Sequence, residues 1–182
     1  DDDGQPVERD PAELKAALKE LLELDLSRLT TLCLAFVPIG SAGAKVLAHA
    51  TSLSNLRQLD LRYCQIRDAG LGALLDAPFL KNLEVLHLQS NLLKASGIKA
   101  LAARDLPKLR VLDVRDNEIK STGAKALGSA SFVSRLSVLG VQRADLGAAG
   151  VKALSQAPLA PHLSALWKGM ASVKQEQAHD EE

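Results

Sequence analysis

The stretch "LEVLHLQSNLLKASGIKAL", residues 83 to 101, changes its periodicity halfway along. In its first part Leu86 and Leu88 alternate with His87, the two-residue period of a strand with one buried face. The equivalent second part further on, "STGAKALGSA" from Ser121, sets Ala124 and Leu127 three residues apart. That spacing lays one face of a helix against the sheet. The stretch therefore predicts a strand, a turn and a helix, and it sets His87 on the outward side of the strand.

The frame recurs. "LTTLCLAFVPIGSAGAKVLAHA" from Leu29, "LRQLDLRYCQIRDAGLGALLDA" from Leu56, "LRVLDVRDNEIKSTGAKALGSA" from Leu109 and "LSVLGVQRADLGAAGVKALSQA" from Leu136 repeat it at intervals of 26 or 27 residues. Each copy reads L-x-x-L-x-[LV]-x-x-z-x-[IL]-x-x-x-G-x-x-x-L, with Gly43, Gly70, Gly97, Gly123 and Gly150 in register. A sixth copy, "LSALWKG", begins at Leu163 and stops. Self-similarity at such a period is the mark of a solenoid.

This pattern resembles the leucine-rich repeat family, specifically the longer-repeat subclass seen in ribonuclease inhibitor and Ran GTPase-activating proteins. The resemblance covers about residues 29 to 170. It implies an α/β solenoid of about five repeats plus a partial sixth, with a parallel sheet on the concave side and helices on the convex side. It further implies that an Asn at position z turns inward and hydrogen-bonds loop backbone along the solenoid. That position holds Val37, Cys64, Asn91, Asn117 and Ala144; Cys64 is a common substitute in the subclass and is expected to serve packing. The recurrent glycine reads as a residue of close approach. "GLGALL" lacks the third glycine of a dinucleotide fingerprint, and "GSAGAK" and "KSTGAK" miss the spacing of a P-loop. Ser41, Asp68 and Ser121 precede the helices and are candidate N-caps.

Before the array, Asp10, Pro11 and Glu13 form a capping-box pattern, and Leu14, Leu18, Leu21 and Leu22 make one apolar stripe. A capping helix over the open end of the first repeat follows, since solenoid ends need covers. A competing parse reads "LLELDL" from Leu21 as a degenerate strand. The expected organisation is an acidic disordered tail over 1–9, a cap helix over 10–28, the solenoid over 29–170 and a second disordered tail over 171–182.

Lys plus Arg and Asp plus Glu balance at 22 each, so no basic field attracts nucleic acid or an anionic membrane. No apolar run reaches the roughly 18 residues of a membrane span. Two cysteines, Cys33 and Cys64, and no N-glycosylation sequon suit a reducing compartment, and a cytoplasmic location is expected.

Strand alternation sends repeat positions 3, 5 and 7 onto the concave face, with position 8 at the strand end. Position 5 gives Cys33, Asp60, His87, Asp113, Gly140 and Trp167; position 7 gives Ala35, Arg62, Gln89, Arg115 and Gln142; position 8 gives Phe36, Tyr63, Ser90, Asp116 and Arg143. His87 is thus expected between Asp60 and Asp113. A metal would need ligands converging to within about 2 Å of one ion, whereas strands about 4.8 Å apart hold the two carboxylates nearly 10 Å apart. No nucleophile lies beside the row, Cys33 being two strands from His87. No catalytic or metal site and no cofactor is expected. Asp60 and Asp113 are read instead as exposed neighbours that favour protonated His87 and make the surface modestly pH-sensitive, with Arg62 and Arg115 diagonally near them in surface ion pairs.

The sequence therefore reads as a non-enzymatic module that binds a partner protein through Phe36, Asp60, Arg62, Tyr63, His87, Gln89, Asp113, Arg115, Arg143 and Trp167. Tyr, Trp and Arg are the usual interface anchors. Phe36 and Tyr63 could instead lie under the N-terminal cap and Trp167 under the C-terminal tail, while Phe79 and Phe132 fall after the convex helices and fill core. Alternative readings are a regulator of a small GTPase, like the Ran regulators, and a scaffold domain excised from a larger protein. Few exposed concave residues are hydrophobic, which points to a monomer.

Overall fold

The computed structural model describes residues 10–164. The two predicted tails and Trp167 lie outside the described residues. Five short strands, β1 (Thr31–Cys33), β2 (Gln58–Asp60), β3 (Val85–His87), β4 (Val111–Asp113) and β5 (Val138–Gly140), pair in parallel and in sequence order. Each is followed by a helix: α2 (Gly40–Ala48), α3 (Arg67–Leu74), α4 (Ala95–Ala102), α5 (Lys120–Gly128) and α6 (Arg143–Ser155). Strands sit about 4.8 Å apart and packed helices about 8–10 Å apart, so stacking one pair per repeat bends the array with its sheet on the inside.

Register makes the core. Leu32, Leu59, Leu86, Leu112 and Leu139 are Cα partners across the sheet, and all five are buried. Burial of each leucine is worth roughly 2 kcal/mol. Phe79 and Phe132 are fully buried beneath the turns that lead back to the sheet, as their register predicts.

The turn from strand to helix cannot satisfy its own backbone, because it winds through left-handed residues. Position 8 has positive φ in four repeats, at Phe36, Tyr63, Ser90 and Asp116. The side chain at position z of the next repeat supplies the missing partners. Asn117 Oδ1 accepts the N–H groups of Asn91 (3.0 Å) and Leu93 (2.9 Å), and its Nδ2 donates to the carbonyls of Leu88, Val114 and Arg115 at 2.9–3.0 Å. Asn91 does the same one repeat earlier, accepting from Cys64 (3.1 Å) and Ile66 (3.3 Å) and donating to the Leu61 carbonyl at 2.6 Å. Cys64 keeps only the donor half: its thiol donates to the Leu34 carbonyl at 3.0 Å. Where the following residue offers no amide oxygen, the position-11 N–H folds back on its own loop. Ile39 then donates to Val37 O and Ile119 to Asn117 O. Burial pushes the Cys64 thiol up to about 12, so it packs rather than reacts.

The recurrent glycine approaches the neighbouring helix, not the sheet. A Cβ on Gly70 would stand 2.9 Å from Ala44 Cβ and 3.1 Å from Ser41 Cα. The candidate N-caps also differ from expectation. The residues flanking α2, α3 and α5 on the N-terminal side are Ile39, Ile66 and Ile119, and Ser41, Asp68 and Ser121 lie inside the first turns. Asp68 instead serves the next helix, accepting the Lys94 N–H at 2.8 Å and the Ser96 hydroxyl. Ser41 Oγ donates to the Ile66 carbonyl at 2.7 Å, again across a repeat boundary.

At the N-terminal end α1 (Pro11–Glu23) is helical through Leu21 and Leu22, which excludes the strand parse. Asp10 Oδ1 caps it by accepting the Ala12 N–H at 2.8 Å. Leu18 is buried, Leu21 and Leu22 are half-buried against the core, and Leu14 is half-buried. At the other end, residues 161–164 are helical, so the sixth copy does not open as a strand. Pro161 at the first turn suits a helix start, and Leu163 is buried.

Asn117→Ala removes five hydrogen bonds and strands two buried N–H groups, and should cost roughly 3 kcal/mol. Cys64→Ala, which removes one weak donor, should cost about 1 kcal/mol. Urea unfolding at neutral pH measures both; a loss for Asn117→Ala no larger than that for Cys64→Ala would contradict the role given to the ladder.

Candidate functional site

The sheet face carries the rows read from the sequence. Cys33, Asp60, His87, Asp113 and Gly140 are Cα partners in successive strands. Asp60 and Asp113 are less exposed than expected, and both form the expected arginine pairs. Each is gripped by the arginine two residues on. Arg62 Nε reaches both Asp60 oxygens at 3.0 Å and a terminal nitrogen donates at 2.7 Å, while the Arg62 N–H adds a bond at 3.1 Å. Arg115 holds Asp113 identically, at 2.9, 3.1 and 2.6 Å, with its N–H at 3.1 Å. Such forked pairs are the strongest kind, and in each the partners stand two residues apart, the aspartate ending its strand and the arginine just beyond it.

Asp113 is only 5% exposed. It leans across β5, where a Cβ on Gly140 would lie 2.5 Å from its Oδ1 and 2.8 Å from its Cγ. Gly140 is therefore the seat of the Asp113 carboxylate. Burial pushes both aspartates up, but the arginine side-chain and backbone hydrogen bonds outweigh it and hold them below the ordinary carboxylate range. His87 forms no hydrogen bond or ion pair with either, and its Nδ1 is buried without a partner among the described residues.

Beyond this row Asp116, unremarked in the sequence as a contact residue, gathers neutral donors. It accepts from Gln89 Nε2 at 2.6 Å, from Ser90 Oγ at 3.3 Å and from Gln142 Nε2. Gln89 also stands 3.4 Å from the Tyr63 hydroxyl. Opposite-strand glutamines at position 7 beside an aspartate at position 8 are the signal that could have found this hub. Arg143 does not sit at a strand end: α6 begins with it, and a non-helical Gly147 (φ 60°) interrupts that helix.

Phe36 and Tyr63 stack with centroids 4.7 Å apart and planes 11° apart. Phe36 is 67% exposed and Tyr63 41%, so α1 does not cover them. Val85, Val111 and Val138 line position 3, and Val138 is 49% exposed. The face therefore has an aromatic end, a charge-paired centre and an apolar lower row. Cys33 Sγ, 3.7 Å from Asp60 Oδ2, is its exposed thiol.

Three consecutive segments, residues 52–75, 79–102 and 105–128, match the family model described as Leucine Rich repeat. Among solved structures the chain is similar to the tropomodulin C-terminal domain of Caenorhabditis elegans. The two are 16% identical, the match covers 82% of this chain and 92% of that chain, and the TM-score is 0.55. No curated protein sequence matches significantly. The three matched segments fall on successive strand-and-helix units of this array, and the likeness to the solved domain is one of fold.

Both aspartates release their protons more readily folded than unfolded. Stability from these pairs is present above their unfolded value, about 3.9, and is lost as pH falls through the lower folded values. Asp60→Asn with Asp113→Asn should lower stability at pH 7 and flatten its decline below about pH 4, read from thermal unfolding across a pH series. Gly140→Ala should push Asp113 off its seat and cost about 1–3 kcal/mol; an Asp113→Asn background should shrink that cost little if crowding, not charge, is the cause.

Proposed function

We propose that this leucine-rich repeat array is a non-enzymatic, monomeric protein-binding module that seats a partner protein on its concave sheet face, with Phe36 and Tyr63 as the anchor. The observation that supports this most is the exposed, stacked aromatic pair on left-handed backbone, φ 65° and 59°. A bulky residue pays about 1–2 kcal/mol for that conformation relative to glycine. Ser90 and Asp116 occupy the same repeat position, so the turn itself does not require a ring. Rigid aromatic surface contributes much contact area at low entropy cost.

The centre of the face supplies direction. Arg62 and Arg115 keep 40% and 49% of their side chains exposed while their carboxylates hold them in place. A partner meets guanidinium donors that are already ordered, which lowers the entropic cost of docking. Gln89 and Asp116 extend the polar surface toward β5, and His87 lies between the two forks. Leucine-rich repeat domains generally mediate protein–protein contacts, which supports the same reading. A small GTPase is one partner class it admits, and acceleration of single-turnover GTP hydrolysis would single that class out.

With a photo-crosslinking residue at Gln58 on the sheet face, the captured partner should be lost in a Phe36→Ala, Tyr63→Ala double variant. Its affinity should fall about thirtyfold, equivalent to about 2 kcal/mol. Arg115→Glu should weaken binding as well, and unchanged capture by both variants would remove this face as the docking surface. Tyr63→Gly and Tyr63→Ala both delete the ring, yet the glycine variant should be the more stable by about 1 kcal/mol, because only it relaxes the left-handed backbone. Urea midpoints of the two decide this.

A further inference from the structure

A concentration of like charge lies away from the sheet face. α1 and α2 run side by side at the N-terminal end, and between them opens a cleft of about 670 Å3. Lys15 and Lys19, four apart on α1, line one wall; Ser41 and Lys45, four apart on α2, and His49, which caps the carboxyl-terminal end of α2, line the other. Ala42 and Val46 make the floor. The cleft continues past Lys19 and His49 into a second recess of about 360 Å3 that ends at Glu23. Successive repeat helices meet through glycine and alanine, as Gly70 meets Ala44, whereas α1 contributes Leu18 and long lysines.

No carboxylate lines the larger recess, and among the described residues none of the three lysines forms an ion pair. His49 Nδ1 lies 2.7 Å from the Lys45 carbonyl. A carbonyl only accepts, so Nδ1 donates there and Nε2 is left for a ligand. In a chain whose formal net charge is zero, this is a local positive field with a concave shape.

We propose that the cleft binds a short acidic peptide segment of a partner protein, its carboxylates meeting Lys15, Lys19 and Lys45 and its apolar side chains resting on Ala42 and Val46. The shape of the cleft argues for a peptide. Lys15 to Glu23 spans about 12 Å of helix, the length of about four extended residues. An inorganic anion would use the walls and leave the apolar floor uncovered, and a membrane is a plane, whereas these charges converge on a recess. Glu23 sets the orientation, with the acidic residues at the Lys15 and Lys45 end and a neutral or basic residue at the other. This surface is separate from the concave face, and its test does not depend on that face.

The probe is a fluorescein-labelled peptide EELEEL, titrated by anisotropy against the full chain at low ionic strength, beside its uncharged twin QQLQQL. The acidic peptide should bind at least tenfold more tightly than the twin. Lys15→Glu with Lys45→Glu, both at exposed positions, should weaken it at least tenfold with the circular dichroism spectrum unchanged. Lys125→Glu, on exposed α5 surface, should leave it unaltered. Amide shifts in NMR should map to α1 and α2. Equal binding of the two peptides, equal loss in Lys125→Glu, or shifts on the sheet face would overturn the proposal. So would tighter, Lys15- and Lys45-dependent binding of inorganic phosphate or of phosphatidylserine vesicles. The chain's own Asp1 to Asp3 are a competing occupant; if removing residues 1–9 tightens the peptide more than tenfold, the cleft is filled in cis and the partner reading fails.

Discussion

The fold depends on one buried hydrogen-bonding arrangement, the side-chain amide at position z. A strand-to-helix turn built from left-handed residues leaves N–H and carbonyl groups pointing into the space between repeats, where no water can serve them. Asn91 and Asn117 fill that space and answer those groups. The leucine ladder supplies most of the burial energy, but it is permissive about exact spacing. The amides are not, since a shift of one residue would leave several polar groups unpaired at once.

The same strictness shapes the outer surface. Because the turns are pinned, position 8 is held in one backbone conformation whatever side chain it carries, and the array can display Phe, Tyr, Ser or Asp there without rebuilding the loop. The two Asp-x-Arg forks do for charge what the turns do for shape. Each closes within one repeat, so the centre of the sheet is electrically balanced while its guanidinium groups remain presented. Gly140 extends this economy by leaving a hollow in which Asp113 lies, nearly out of solvent, at the cost of having no side chain of its own.

Much of this was legible in the sequence because a repeat converts one local pattern into a global arrangement. The interval of 26 or 27 residues placed Asp60, His87 and Asp113 in one row without reference to coordinates. What it could not place were interactions whose partner is chosen by three-dimensional proximity between repeats. Asp68 resembles a cap for the helix it precedes and caps the next one, because the repeats stack closely enough for its carboxylate to reach Lys94. His87 stands beside two aspartates in register, yet its buried Nδ1 meets no partner among the described residues. Arg143 and the segment at 161–164 depart from the frame where the ladder lacks an amide or the copies run out. The cleft between α1 and α2 gathers side chains from the cap helix and the first repeat, and α1 lies outside the repeat register that places everything else.

The ladder also has a direction. Every z side chain that bonds across a boundary, Cys64 included, reaches back to the turn before it and never forward. Losing a unit from the carboxyl-terminal end therefore takes the z bonds away from the turn before it, whereas losing one from the amino-terminal end leaves the turns that remain their z bonds and costs them only bonds that run the other way, such as that of Asp68 to Lys94. Fraying is thus not equivalent at the two ends: the last turn of the array is the one left without an inward-facing side chain to complete it.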